Sequence, residues 1–311
     1  MRHLLFTLAI SLPLWAEVDL PVAVSNRERP SIWDFYRIQT FLKKGERPEL
    51  DLLEEAIVPG AQLYDYKRRT RSTRLVGTFP GQGPKFRIVL LNTTRDDKRC
   101  CIITYASYNK GYPRGVLLLK NRLKEIGFKG HFLYRIGGWP DCEGGSLPLV
   151  RIPYAFKPCL FQEAKRLGYE LVLWLDSSIR PCQSLEEIFT EIKERGYIFY
   201  PAGHTLERYC NRQAMQSLGA DPNEAAQIKS VAGGLVGFNL SHPMGQHLLD
   251  RWTKAAWDGK SFFSPRCDQS ALSIIAHLAG CSRFYEPHRI AYFPEQINTE
   301  TRFFVDWASI Q

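Results

Sequence analysis

The chain has 311 residues, 44% of them hydrophobic and 23% charged. That balance suits a folded globular protein and excludes a disordered one, and the length is enough for one large α/β domain or two modest ones. A net charge of +9 favours an anionic partner such as a nucleotide diphosphate, an acidic glycan or a lipid surface.

Arg2 and His3 precede an apolar run from Leu4 to Trp15, and Ala16 ends it before Glu17. This is the layout of a secretory signal peptide over residues 1–16, with an uncleaved anchor or a buried helix as the alternative, and the run is too short for a span of about 20 apolar residues. The sequence therefore predicts export to a periplasm, a secretory lumen or the exterior. No later stretch is apolar enough to cross a membrane. Eight cysteines (100, 101, 142, 159, 182, 210, 267 and 281) follow the signal, with no C-x-x-C pair among them. Export permits disulfides, but the irregular spacing sets no pairing.

Residues 17–95 read as an N-terminal extension, with helices expected over 32–42 and 49–56 and a strand over 85–91. Lys67, Arg68, Arg69, Arg71 and Arg74 form a basic cluster inside it, a solvated face or a contact for an anionic surface. From residue 96 to 311 strands and helices alternate. Strands are expected over 101–105, 131–136, 171–175, 197–200 and 231–239. Helices are expected over 116–126, 153–167, 184–195, 243–257 and 268–278. Ser184 and Glu187 have the spacing of a capping box. The pattern predicts an α/β fold, a mostly parallel sheet with helices on both faces. Ligands in such sheets bind outside the carboxyl ends of the strands.

Asp176 follows the apolar run Leu171-Val-Leu-Trp-Leu175 and precedes Ser177-Ser178. At that strand end it can hold a divalent cation or cap the turn. Gly233 and Gly234 let a backbone approach a ligand or pack tightly on a helix. Asp268 begins a helix in Arg266-Cys-Asp-Gln269-Ser270, where it can cap the N-terminus or act on a hydroxyl. Arg266 suits a diphosphate, which arginine binds with two N–H groups. Lys157 opens a helix and is a second candidate for phosphate charge.

The order of these blocks, strand–Asp176-Ser-Ser, the glycine segment and Asp268-Gln269-Ser270, resembles the GT-A fold nucleotide-sugar glycosyltransferases over roughly residues 99–290. "WLDSS" also resembles an uncharacterised glycosyltransferase-like group. The resemblance implies transfer of a sugar from a nucleotide-diphosphate donor to a hydroxyl on a glycan, protein or lipid. It places Asp176 at a Mn²⁺ or Mg²⁺ site, with Ser178 where the family has its second acid. Tyr105 and Asn109 would hold the base and ribose, and Gly233 and Gly234 would line the donor sugar. Asp268 with Gln269 would serve the acceptor, and His288 would be a further metal ligand. Because Ser178 replaces an acid, a non-catalytic nucleotide or glycan binder of the same fold is the second reading. A nucleic-acid role is disfavoured by the signal and by the lack of interleaved aromatic and basic residues.

Overall fold

The computed structural model describes residues 62–65, 70–75, 85–106, 111–136, 140, 154–262, 264, 266–281 and 284–310. The signal peptide, the helices expected over 32–42 and 49–56, and Asn109 lie outside the described residues. Strands β1 (Gln62–Asp65) and β2 (Thr70–Leu75) pair as an antiparallel hairpin.

The central sheet has six strands. They are β3 (Lys85–Leu91), β4 (Cys100–Ala106), β5 (Gly130–Ile136), β6 (Leu171–Leu175), β8 (Tyr197–Thr205) and β9 (Lys229–Asn239). Their order is β3-β5-β4-β6-β9-β8. Strand β4 pairs in parallel with β5 and β6, while β3 and β9 run against their neighbours. Strands β4, β5, β6 and β8 thus share one direction, which makes the sheet mostly parallel. Four strands begin or end beyond their expected limits, β8 by five residues. The expected strand 85–91 belongs to this sheet, so the boundary drawn at residue 95 is corrected: β3 pairs along its whole length with β5. The polar turn after Leu91 disguised an edge strand as part of the extension.

Helices α1 (Tyr112–Glu125) and α3 (Glu186–Arg195) cover one face of the sheet. Helices α2 (Phe156–Arg166), α5 (Pro243–Asp258) and α6 (Cys267–Leu278) cover the other. A short α4 (Arg212–Ser217) packs at one end of α6. Alternation along the strands makes two cores. Cys101, Ile103, Val172 and Trp174 face α2, α5 and α6. Ile102, Leu171, Leu173 and Leu175 face α1 and α3. Side chains two residues apart share a face, so Asp176 emerges on the side of Trp174.

The expected capping box at α3 is absent. Ser184 Oγ accepts from the Glu186 amide at 3.3 Å, but Glu187 turns away to Tyr285, Arg289 and Arg302. Two guanidinium groups and a hydroxyl outcompete one backbone N–H for that carboxylate. The bonds tie the C-terminal segment to α3. That segment adds a three-stranded sheet, in which β11 (Phe303–Val305) lies between β10 (Ile290–Ala291) and β7 (Ile179–Pro181). It closes under the turn that follows Asp176.

Cys100, Cys101, Cys182, Cys210 and Cys281 are free thiols. Burial pushes the Cys101 thiol well up, which makes it inert in the native state. Alkylation in denaturant without reductant, read by intact mass and peptide mapping, is expected to label all five; a labelled set lacking any of them would contradict this thiol state. No described helix is long and apolar enough to cross a membrane.

Candidate functional site

The site forms where β6 ends, against the glycines of β9. Asp176 donates its amide to the Gly234 carbonyl at 2.8 Å, and Ile179 donates back to the Asp176 carbonyl. The Ser178 carbonyl accepts from the Asp306 amide at 2.8 Å, so β11 pins the turn from below. Arg180 is buried beneath it and donates to the Ser177 carbonyl at 2.7 Å. Burial pushes the Arg180 guanidinium down, and Asp306 opposes that. Gly115 of α1 lets the helix approach from the same side: a Cβ there would stand 2.5 Å from the Ser177 carbonyl oxygen. Ser178 is itself buried, so it does not supply a second exposed ligand.

Asp176 is oriented by Trp174, whose Nε1–H donates to Oδ1 at 2.7 Å. The period of two along β6 puts them on one face. The carboxylate is 40% exposed, and Oδ2 takes no hydrogen bond from any described residue. Asp176 is therefore the accessible acid of the site.

Lys157, at the start of α2, joins this acid to Asp268. Its ammonium lies 2.7 Å from Asp268 Oδ2 and 3.6 Å from Asp176 Oδ1, and it donates to the Gly233 carbonyl at 2.7 Å. The Asp268 contact is short but off the axis of a hydrogen bond, an ion pair rather than a directed bond. The rings of Tyr154 and Trp174 each stand 5.4 Å from the ammonium. Only 4% of the Lys157 side chain and 6% of that of Asp268 reach solvent. Burial by itself would push the Lys157 ammonium down; Asp176 and Asp268 outweigh it, and the net direction is up. Lys157 therefore remains charged at neutral pH. The chain enters α2 through Tyr154 at φ 63°, a left-handed conformation that tyrosine seldom adopts.

Asp268 lies in the first turn of α6 but does not cap it, since no side-chain cap bond forms there. Lys157 draws Oδ2 away, and Oδ1 takes no bond from any described residue. The Trp252 indole fixes the local backbone by donating to the Asp268 carbonyl at 3.2 Å. Gln269 donates to Ser230 Oγ at 2.8 Å and meets His204 Nε2 at 3.4 Å. His204 in turn lies 2.8 Å from Arg266 Nη1.

Lys157, Asp176, Gly233, Gly234, Asp268 and Gln269 thus come together. Arg266 lies beyond Gln269, away from Asp176. Tyr105 is buried, with its ring stacked on Phe156 at 4.5 Å between centroids, so this face of the ring is filled by protein. His288 is exposed and lies 3.7 Å from Glu286 and 3.5 Å from Glu300. Both neighbours are acids of its own segment, and no contact joins His288 to Asp176 among the described residues. Trp174, Tyr154, His204 and Ser230 were not singled out as site residues. Only Trp174 had a usable signal, as the residue two before the strand-end acid. Among the described residues, no group of three or more His, Cys, Asp or Glu could hold a metal ion. One exposed carboxylate can still hold Mg²⁺ or Mn²⁺ jointly with substrate phosphates. The charge of Asp176, Asp268 and Lys157 together is that of one excess carboxylate, which fits a cation brought with such a ligand.

Fold and site together define an α/β protein with two lysine-bridged acids at the carboxyl end of its central strand β6. No protein-family model matches the chain, and no curated protein does. Among solved structures it aligns with mouse xyloside xylosyltransferase 1 in the apo form at a TM-score of 0.42 and 11% identity, covering 68% of this chain and 99% of that one. It also aligns with galactosyltransferase LgtC in complex with donor and acceptor sugar analogs at a TM-score of 0.37 and 12% identity, covering 67% and 87%.

Proposed function

We propose that the protein transfers a sugar from a nucleotide-diphosphate donor to a hydroxyl acceptor. The observation that carries this reading is the buried Lys157 ammonium in contact with both Asp176 and Asp268. It fixes two acids at the strand end where α/β sheets bind ligands. Asp176 would face the diphosphate and Asp268 the sugar and acceptor. Lys157 is a positioning residue whose bonds are already taken by the protein.

In the transfer, the acceptor oxygen bonds to the anomeric carbon and its proton passes to Asp268. The bond from that carbon to the phosphate oxygen breaks, and the electron pair leaves with the nucleoside diphosphate. Asp268 Oδ1 is the atom placed to take the proton, because Oδ2 is held by Lys157. The glycines of β9 let the two acids lie against the strand, since a Cβ at Gly234 would stand 2.9 Å from Asp176 Oδ2 and one at Gly233 2.9 Å from Asp268 Oδ2. Asp176 Oδ2 would hold Mn²⁺ or Mg²⁺, which when bound offsets the negative charge growing on the leaving diphosphate.

With one protein carboxylate available, Mn²⁺ alone should bind weakly and bind well only with a nucleoside diphosphate. Calorimetry is expected to give no resolved Mn²⁺ isotherm without UDP and tighter UDP binding with Mn²⁺ present. Asp176→Ala should remove that gain. A tight Mn²⁺ site in the absence of nucleotide would contradict this ligand set. Turnover of a panel of nucleotide sugars, measured as donor hydrolysis or transfer, tests the activity. Nucleotide binding with no turnover across the panel would instead favour a non-catalytic nucleotide or glycan binder, a reading that Ser178 in place of a second acid supports. Residues 1–16 add the proposal that the enzyme works after export; a cytoplasmic, full-length product in fractionated cells would refute it.

A further inference from the structure

Along β9 the contacts follow a fixed order. Gly234 lies against Asp176, Gly233 against Asp268, Ser230 against Gln269, and Lys229 pairs in register with Thr205. A strand advances about 3.3 Å per residue, so the Lys229 end is more than one sugar length from Asp176. At that far end stands a basic cluster outside the proposed acid site.

Its centre is the Tyr209 ring. The Arg266 guanidinium lies over it at 4.2 Å from the centroid, and the Arg208 guanidinium at 5.1 Å. The His204 ring meets Tyr209 edge-on at 4.7 Å. His204 Nδ1 lies 3.0 Å from the Thr205 carbonyl, which only a protonated nitrogen can approach favourably. In that tautomer Nε2 accepts from Arg266 Nη1 at 2.8 Å. Arg266 is thus held by one stacking contact and one hydrogen bond, yet it remains exposed. Among the described residues no carboxylate pairs with Arg208 or Arg266. Lys229 adds a third cation at the same strand end.

Two guanidinium groups on one ring repel each other, and the surface supplies no acid between them. The ring holds one guanidinium at 4.2 Å and the other at 5.1 Å from its centroid, and a bound anion would relieve their repulsion. Preorganised, planar donors of this kind match a carboxylate or phosphate through paired N–H bonds. The Gln269–His204 contact joins the cluster to Asp268 rather than to Asp176.

We infer that Arg266 and Arg208, braced by Tyr209 and His204, form a subsite for an anionic group on the acceptor, a carboxylate or a phosphate. This deepens the transferase reading and rests on it for the word acceptor; the anion site itself stands on the cluster. It also moves Arg266 from the donor diphosphate, where its sequence context suggested it, to the opposite side of Asp268.

The test uses the full-length chain at low salt, with UDP affinity measured on the same samples. Calorimetry compares tetragalacturonate with its methyl ester, an uncharged analogue of the same shape, and mannose 6-phosphate with mannose. The expected result is at least about tenfold tighter binding of one charged ligand over its neutral partner, the magnitude of a charge-assisted contact. The galacturonate pair reports a carboxylate and the mannose pair a phosphate. Arg266→Ala should abolish the preference and Arg208→Ala should weaken it. Both side chains are exposed, and thermal melts confirm folding; Arg266→Lys, which keeps charge but loses the planar fork, should fall between. Equal binding of both pairs would overturn the inference, as would a preference that survives in the Arg208→Ala, Arg266→Ala double variant. Loss of UDP affinity in Arg266→Ala would assign that guanidinium to the donor and also overturn it. Wild-type protein that shows the anion preference but no UDP binding would support the subsite and sink the transferase reading.

Discussion

Lys157→Met is expected to abolish transfer and to destabilise the fold by about 3–5 kcal/mol, the usual effect of breaking a buried ion pair from one side. The variant leaves the Asp268 carboxylate, 6% exposed, without its ammonium at 2.7 Å. It also frees Asp176 from the 3.6 Å contact and the Gly233 carbonyl from its donor. Denaturant unfolding separates the two losses. Lys157→Met with Asp268→Asn removes both charges, so it should regain most of the stability while remaining inactive. If Lys157→Met unfolds at the wild-type denaturant midpoint, the buried pair is not what holds the site. If the double variant turns over donor, Asp268 is not the group that takes the proton.

Gly234→Ala is expected to weaken nucleotide diphosphate binding by at least about tenfold, which is about 1.4 kcal/mol. The added methyl would stand 2.9 Å from Asp176 Oδ2 and 3.3 Å from Ile179 Cδ1. One of them must move, and Asp176 is held on its other side by Trp174 Nε1 at 2.7 Å. Overpacking of this kind costs about 1–3 kcal/mol, so the fold should survive. Gly233→Ala presses elsewhere, at 2.9 Å from Asp268 Oδ2 and 3.5 Å from the Lys157 ammonium. It should lower kcat more than it changes UDP affinity. Titration of UDP with steady-state kinetics on both variants checks the division. Identical effects of the two substitutions would show that the glycines do not serve separate acids.

The two variants test the proposed placement of the leaving group at Asp176 and the acceptor at Asp268. Asp176, accessible and held by an indole, suits a ligand that arrives with its own charge. Asp268, nearly buried and held by an ammonium, suits a ligand that presents a hydroxyl. The basic cluster around Tyr209 extends the second side and leaves the first unchanged.

The sequence by itself determined the α/β alternation, because apolar strands buried on both faces and amphipathic helices carry their period in the residue order. It located β3 and β6 at their full limits and set Asp176 at the end of β6. It also picked out Lys157, the β9 glycines and Asp268-Gln269 as separate blocks. Only the tertiary structure decided which of these meet. Lys157 and Asp268 lie more than a hundred positions apart, and their contact depends on α2 and α6 covering the same face of the sheet. The same packing turned Tyr105 onto Phe156, sent Glu187 to the C-terminal arginines and placed Arg266 beside His204 instead of a diphosphate expected near Asp176. A charged side chain reaches several ångströms in any direction, so its residue type states what it can bind, while its partner is set by which backbone segment the sheet brings within that reach.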